Sequence, residues 1–218
     1  PVAHSFPTRR SSDLIAARAV VNAAGLFGDR LERALLGASE FTIHPRKGQF
    51  VVFDKAAAAL LTTTILPVPS ERTKGVVLVR TAFGNLLVGP TAEEQDDRER
   101  ATVEPATLRD LIDRAVRIVP GLRDMPVTAT YAGLRPASED KAYRVRFDAE
   151  RRYLRLGGIR STGLTAALGL AAHAAERLAE IDIGGAPLAA PVWPEVPNLA
   201  EHRPRPWQGP EGGDIVCH

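Results

Sequence analysis

The best local signal for chemistry is a glycine-bearing loop ahead of a long apolar stretch. Residues 157–163 read Gly157-Gly158-Ile159-Arg160-Ser161-Thr162-Gly163, and an Ala- and Leu-rich run follows to residue 181. Glycines let a backbone approach a ligand closely. A helix start behind them offers free N–H groups and the positive end of its dipole, suited to an anion or an electron-rich carbonyl. The same residues also make a plain strand-to-helix turn, and local sequence does not separate the two. Two basic clusters could hold an anion: His44-Pro45-Arg46-Lys47-Gly48-Gln49 and Tyr131-Ala132-Gly133-Leu134-Arg135-Pro136. Arginine suits carboxylate or phosphate because its planar fork donates paired hydrogen bonds. Solvated strand ends are the plainer reading of both clusters.

Other chemistries lack their signatures. The chain has no GxGxxG, no P-loop and no GxSxG elbow. Five histidines and one cysteine show no zinc spacing. Glu93-Glu94 with Asp96-Asp97 reads as a solvated acidic loop, and His173 as a packed residue within a helix.

The elements that must position these residues sit in a chain of ordinary composition. It has 218 residues, 28 Lys+Arg against 26 Asp+Glu, a net charge of +2 and 44% apolar residues. That length allows one domain or two, and the composition excludes a disordered chain. No apolar run reaches the roughly 18 residues of a membrane helix. The bases are spread along the chain with no block of like charge, so nucleic-acid binding is not indicated. A lone cysteine, Cys217, excludes an internal disulfide framework and suggests a reducing, cytoplasmic setting.

Patterning predicts a short buried strand over 17–24 closed by Gly25, then a helix over 29–36 ended at Gly37. Residues 41–53 read as extended and broken at Pro45. Strand-like pieces follow at 62–67, 75–79 and 85–88, with a tight turn at Gly84-Asn85. Residues 104–119 carry a helical face of Leu108, Leu111, Ile112, Ala115, Val116 and Val119, stopped by Pro120-Gly121. Strands are predicted at 127–134, 143–147 and 153–156, and a last helix at 162–181. One βα piece, a strand-rich middle and a closing loop-helix imply that the middle is inserted into another domain.

Both ends read as cut. Residues 4–14, HSFPTRRSSDL, have no apolar period and look like a translated sequencing adapter, so residues 1–14 are expected to be a non-native scar. Residues 183–218 read as a Pro-rich linker: seven of the 17 prolines fall in 187–210, with Trp193 and Trp207 among them.

Five motifs in order resemble one known family. They are VVNAAG at 20–25, HPRKGQF at 44–50, GNLLVGPTAEEQDD at 84–97, YAGLRPASED at 131–140 and GGIRSTGLTAALGLA at 157–171. The resemblance is to FAD-dependent oxidoreductases of the D-amino-acid-oxidase and glycerol-3-phosphate-dehydrogenase superfamily, nearest its glycerol-3-phosphate-dehydrogenase-like branch, over residues 15–182. It implies a mixed α+β or α/β fold: a partial Rossmann-like FAD-binding domain from 15–40 and 151–182, with an inserted, mainly antiparallel substrate domain over 41–150. The family's N-terminal GxGxxG segment, which cradles the FAD pyrophosphate, is missing, so weak FAD binding by this chain alone and an exposed apolar face are expected.

By the same resemblance, Asn22, Ala23, Ala24 and Gly25 lie along the FAD. Gly158, Ile159, Arg160, Ser161, Thr162, Gly163, Leu164 and Thr165 face its flavin. Arg135, with Arg46, Lys47 and Arg160, grips a small anionic substrate. His44 is the expected proton acceptor, since imidazole titrates near neutral pH. The tail resembles the opening of a [2Fe-2S] domain with Cys217 as first ligand. The implied activity is oxidation of a small anionic alcohol such as glycerol 3-phosphate by hydride transfer to flavin. A 2-hydroxy-acid or amino-acid oxidoreductase is the alternative within the class, and a substrate-binding module or inactive fragment the alternative outside it. The electron acceptor stays open between a quinone, an iron–sulfur partner and oxygen, and the location between cytoplasm and membrane periphery.

Overall fold

The computed structural model describes residues 16–68, 75–81, 83–185 and 189–192. The expected adapter scar at 1–14, most of the linker, Trp193, Trp207 and Cys217 lie outside the described residues. In chain order the elements are β1 (Val20–Asn22), α1 (Gly28–Leu36), β2 (His44–Phe53), β3 (Val77–Arg80), β4 (Leu86–Gly89), β5 (Glu93–Glu94), α2 (Pro105–Ile118), β6 (Val127–Ala137), β7 (Arg144–Asp148), β8 (Tyr153–Gly157) and α3 (Gly163–Ala179). No helix among them is long and apolar enough to cross a membrane.

Two compact units divide the chain. The first takes Pro1–Gly48, Thr91–Thr102 and Ala132–Gly184, and the second Gln49–Pro90, Val103–Tyr131 and Gly185–His218. The first unit therefore also takes in 41–48, 91–102 and 132–150, along with residues up to 40 and 151–184.

The first unit is built on a sheet of order β1-β8-β7. β1 runs parallel to β8, with Val21 opposite Leu154, and β7 pairs antiparallel with β8. The expected buried strand over 17–24 is shorter and less buried. Only Asn22 is buried, while Val20 and Val21 are 37% and 42% exposed. Among the described residues β1 is an outermost strand of its sheet. α1 ends as expected at Gly37, whose left-handed conformation and N–H bond to the Arg33 carbonyl close the helix. Its burial is inverted, with Asp29 and Glu32 facing inward while Leu31 and Leu35 remain exposed. α3 buries no residue fully, and Leu164 and Leu168 stand out in solvent. His173 is half-buried on the same helix face as Leu170 and Ala174.

The break expected at Pro45 does not occur. Proline lacks a donor but is tolerated at a strand's first positions, and its carbonyl accepts from the Gln95 amide at 3.1 Å. The acidic run is not simply a solvated loop either. Glu93 and Glu94 form β5, antiparallel to β2, with Glu94 opposite Arg46 and Glu93 opposite Lys47. Charge complementarity across the ladder makes these two glutamates a strand.

The second unit holds the apolar core. Val51, Phe53, Leu78, Leu86 and Val88 from β2, β3 and β4 cluster with Leu111, Ala115 and Val116 of α2 and with Leu122. Leu108, Ile112 and Val119 pack at its margin, so the predicted helix face is the observed one. Of the piece expected at 62–67, only an isolated bridge from Ile65 to Leu78 is strand-like. The turn before β4 closes through Gly84 N–H to the Thr81 carbonyl at 3.0 Å.

Gln49 in the HPRKGQF motif has a structural task. It is fully buried, its Oε1 accepts from the Glu104 amide at 2.7 Å, and its Nε2 donates to the Glu104 carboxylate at the start of α2. Gln49→Leu leaves that carboxylate and amide without this partner. It is expected to cost about 1–3 kcal/mol, read as a lowered urea midpoint.

Candidate functional site

β1 and β8 are parallel neighbours, and each runs into a turn followed by a helix. Both turns therefore leave the same edge of the sheet, where open α/β sheets bind ligands outside the carboxyl ends of their strands. The first turn holds Ala23, Ala24 and Gly25, with Gly25 at φ +54° and the Phe27 amide bonded to the Ala24 carbonyl at 3.0 Å. The second holds Gly158 through Thr162 ahead of α3. Gly158 sits at φ +64°, and a Cβ there would lie 2.9 Å from Ser138 Oγ and 3.1 Å from Arg144 Cγ. Only glycine fits. The first turn of α3 has neither a side-chain cap nor an acidic residue, so the amides of Gly163, Leu164 and Thr165 keep the helix's positive end open.

The two turns are braced by one ring. Phe41 is buried, and a Cβ on Gly157 or Gly28 would meet its Cζ at 2.9 and 3.4 Å. The ring also carries the Arg155 guanidinium 4.9 Å from its centroid. Arg155 in turn donates to Glu32 Oε1 at 2.6 Å and Oε2 at 2.9 Å, a pair almost wholly out of solvent.

Asn22 supports the first turn from within. Its Nδ2 donates to the Gly28 carbonyl and to Tyr153 Oη, each at 2.8 Å, and its Oδ1 accepts from the Ala24 amide at 3.2 Å. The side chain is engaged on all sides, so Asn22 can meet a cofactor only through its backbone.

The four expected cationic residues are held in different ways. Arg135 Nε donates to the Arg46 carbonyl at 3.3 Å, and its Nη2 to the carbonyls of Lys47 at 3.0 Å and Thr91 at 2.7 Å. Burial, then the nearby charges of Arg46 and Arg160, lower the Arg135 pKa below the usual guanidinium value. Arg160 shows the same direction, from burial and Arg46, partly offset by Asp140. It donates to the carbonyls of Ser138 at 3.1 Å and Asp140, and its buried Nε has no partner. Neither Arg135 nor Arg160 joins an ion pair among the described residues. Arg46 and Lys47 do: Arg46 pairs with Glu94 at 2.7 Å and Lys47 with Glu93 at 3.4 Å. His44 is exposed at the start of β2, on the Arg46 face by strand alternation, and its side chain makes no hydrogen bond among the described residues. Ser161 is exposed in the loop, and Thr162 shares a hydrogen bond with Tyr143 Oη.

Sequence reasoning missed Phe41, Ser138, Glu32, Arg155, Asp29 and Arg98. Only Asp29 carried a local signal, as an acid in a helix first turn. Its carboxylate is buried, which alone would raise its pKa. The Arg98 fork and the Ile43 and Arg30 amides outweigh that and hold it below the usual carboxylate value. A carboxylate lowered on folding contributes stability above its unfolded pKa, about 3.9. That contribution is lost as pH falls further. Acid titration of the urea midpoint is therefore expected to fall below about pH 4, and Asp29→Asn to flatten that fall.

A parallel pair of strands ending in glycine turns, beside guanidinium groups that join no ion pair among the described residues, is the layout of an α/β unit whose ligand edge lies at the strands' carboxyl ends. Residues 4–177 match the family described as FAD dependent oxidoreductase. The chain belongs to that family. It is 30% identical over 163 residues to glycerol 3-phosphate dehydrogenase of Caloramator mitchellensis, covering 74% of this chain and 34% of that protein. The solved L-alpha-glycerophosphate oxidase of Mycoplasma pneumoniae with FAD bound superposes with a TM-score of 0.66 at 30% identity, covering 74% of this chain and 42% of that one. Glycine oxidase from Geobacillus kaustophilus gives the same TM-score at 26% identity, over 76% of this chain and 42% of that one. The chain thus spans between a third and a half of these relatives' length.

Proposed function

We propose that the protein carrying this chain oxidises a small anionic alcohol, with glycerol 3-phosphate the leading substrate. The observation that carries this reading is the cationic cluster, in which neither Arg135 nor Arg160 joins an ion pair among the described residues, Asp140 only partly offsets the charge at Arg160, and Arg46 lies close to both. Glycerol-phosphate activity in the Caloramator and Mycoplasma relatives supports it.

The residues fit FAD. Gly158 packs against Ser138 and Arg144 at a positive φ that holds the loop close to the start of α3, the orphaned Arg160 Nε is a ready donor, and the open start of α3 favours an electron-rich carbonyl. FAD bound there supplies the hydride acceptor. The backbone of Asn22, Ala23, Ala24 and Gly25 would line it on one side, and Gly158 through Thr165 on the other. Arg135 and Arg160 would hold the substrate anion, joined by Arg46 and Lys47 when the anion competes with Glu94 and Glu93. His44 would take the hydroxyl proton. A [2Fe-2S] centre needs four ligands, and Cys217 supplies one; no step of the proposal passes through it.

Glycine oxidase relatives favour a second reading, in which the same cluster holds the carboxylate of a small amino acid. The test is anaerobic bleaching of the flavin in the cofactor-loaded protein. Bleaching by glycerol 3-phosphate but not by glycine or 2-hydroxyglutarate is expected. Bleaching by glycine or 2-hydroxyglutarate alone overturns the main reading.

A further inference from the structure

Arg98 lies in the loop between β5 and α2, outside every motif read from the sequence. Its guanidinium is nearly out of solvent, its side chain 10% exposed against an Asp29 that is 2% exposed. It makes four charge-assisted contacts. Nη1 donates to the Leu26 carbonyl at 2.8 Å and to Asp29 Oδ1. Nη2 donates to Asp29 Oδ2 and to the Ile43 carbonyl, both at 2.8 Å. The Ile43 amide closes the arrangement by donating to Asp29 Oδ2 at 3.0 Å.

The acceptors are informative because two of them are main-chain carbonyls at chemically placed positions. Leu26 follows Gly25 in the turn between β1 and α1. Ile43 directly precedes His44. An ion pair with Asp29 alone would need neither carbonyl. The loop is also constructed to present this side chain. Asp97 accepts from the Glu99 amide at 2.8 Å and the Arg100 amide at 3.1 Å, and Gln95 Nε2 bonds the carbonyls on both sides, Asp97 and Arg100.

We propose that Arg98 is a positioning residue that fixes the β1–α1 turn and His44 relative to each other. What those two sites do rests on the function proposed above; their registration by Arg98 does not. A lysine keeps the charge but is a single ammonium point, unable to span Asp29 and two divergent carbonyls with a planar fork. Arg98→Lys should therefore not restore the register.

The experiment uses the 218-residue chain, as wild type, Arg98→Lys and the double variant Asp29→Asn/Arg98→Met. The double variant removes both buried charges together and keeps the test available if Arg98→Lys does not fold. Amide hydrogen exchange is followed at Phe27 and Ile43, with the ring resonances of His44. Leu154 in β8 and Leu78 in β3 serve as internal references. Exchange at Phe27 and Ile43 about tenfold faster or more is expected, with shifted His44 ring resonances, in both variants. Leu154 and Leu78 should exchange as in the wild type. Unchanged exchange at Phe27 and Ile43 overturns the proposal. So does equal acceleration at Leu154, which would make Arg98 a general stabiliser of the unit. Failure of the oxidoreductase reading would appear separately, as no flavin bleaching by wild type, and would leave the exchange pattern as it is.

Discussion

Glu32→Ala is expected to destabilise the chain by about 3–5 kcal/mol, a large part of a domain's total stability. Glu32 and Arg155 are 1% and 6% exposed at their side chains, so water does not screen the pair. Removing the carboxylate strands the guanidinium inside, and the second partner, Glu40 at 3.3 Å, is itself more than half exposed and compensates little. The loss should spread beyond the pair. Glu32 Oε2 also accepts from Tyr153 Oη at 3.4 Å, and Tyr153 Oη in turn accepts from Asn22. Glu32→Leu combined with Arg155→Met removes both charges while keeping volume, and should recover most of the loss. Urea unfolding of the two variants decides it: equal stability of Glu32→Ala and wild type would mean that the pair contributes nothing.

The inverted burial of α1 explains why such residues escaped the sequence reading. A helix over 29–36 was legible from its period and its closing Gly37. Its inward face was not, because apolar patterning assigns Leu31 and Leu35 to the core, whereas the structure buries Asp29 and Glu32. What makes that possible is an arginine for each, Arg98 and Arg155, about seventy and more than a hundred residues away in sequence. Partnerships at that range leave no local period. Helix α2 shows the opposite case, where Leu111, Ala115 and Val116 face an apolar core and period alone finds them. Within the site, Gly158 was legible because a close approach demands glycine, and Arg135 because its residue type suits an anion. The pairing of Arg46 and Lys47 with Glu94 and Glu93 was not, because it depends on the register of β5 against β2.

That pairing shapes the second large effect. Arg135→Met in the flavin-loaded protein is expected to raise KM for glycerol 3-phosphate about 10- to 100-fold, the worth of one lost charge-assisted contact. Turnover at saturation should change less, since grip on a remote anion acts on ground and transition states alike. Arg46 cannot substitute fully, because it is held by Glu94 at 2.7 Å. Glu94→Gln should therefore act in the opposite direction and lower KM, by freeing Arg46 for the anion. Arg135 also fixes the carbonyls of Arg46, Lys47 and Thr91, so a fall in its variant's thermal midpoint is expected as well. Arg135→Lys separates the two roles. It retains the charge and should keep part of the affinity, while losing the fork that ties three carbonyls together. If KM stays unchanged in Arg135→Met while the midpoint falls, Arg135 is a brace of the β2 and β6 strands and the anion is held elsewhere in the cluster. Arg160, with its unpartnered Nε, is then the next residue to replace.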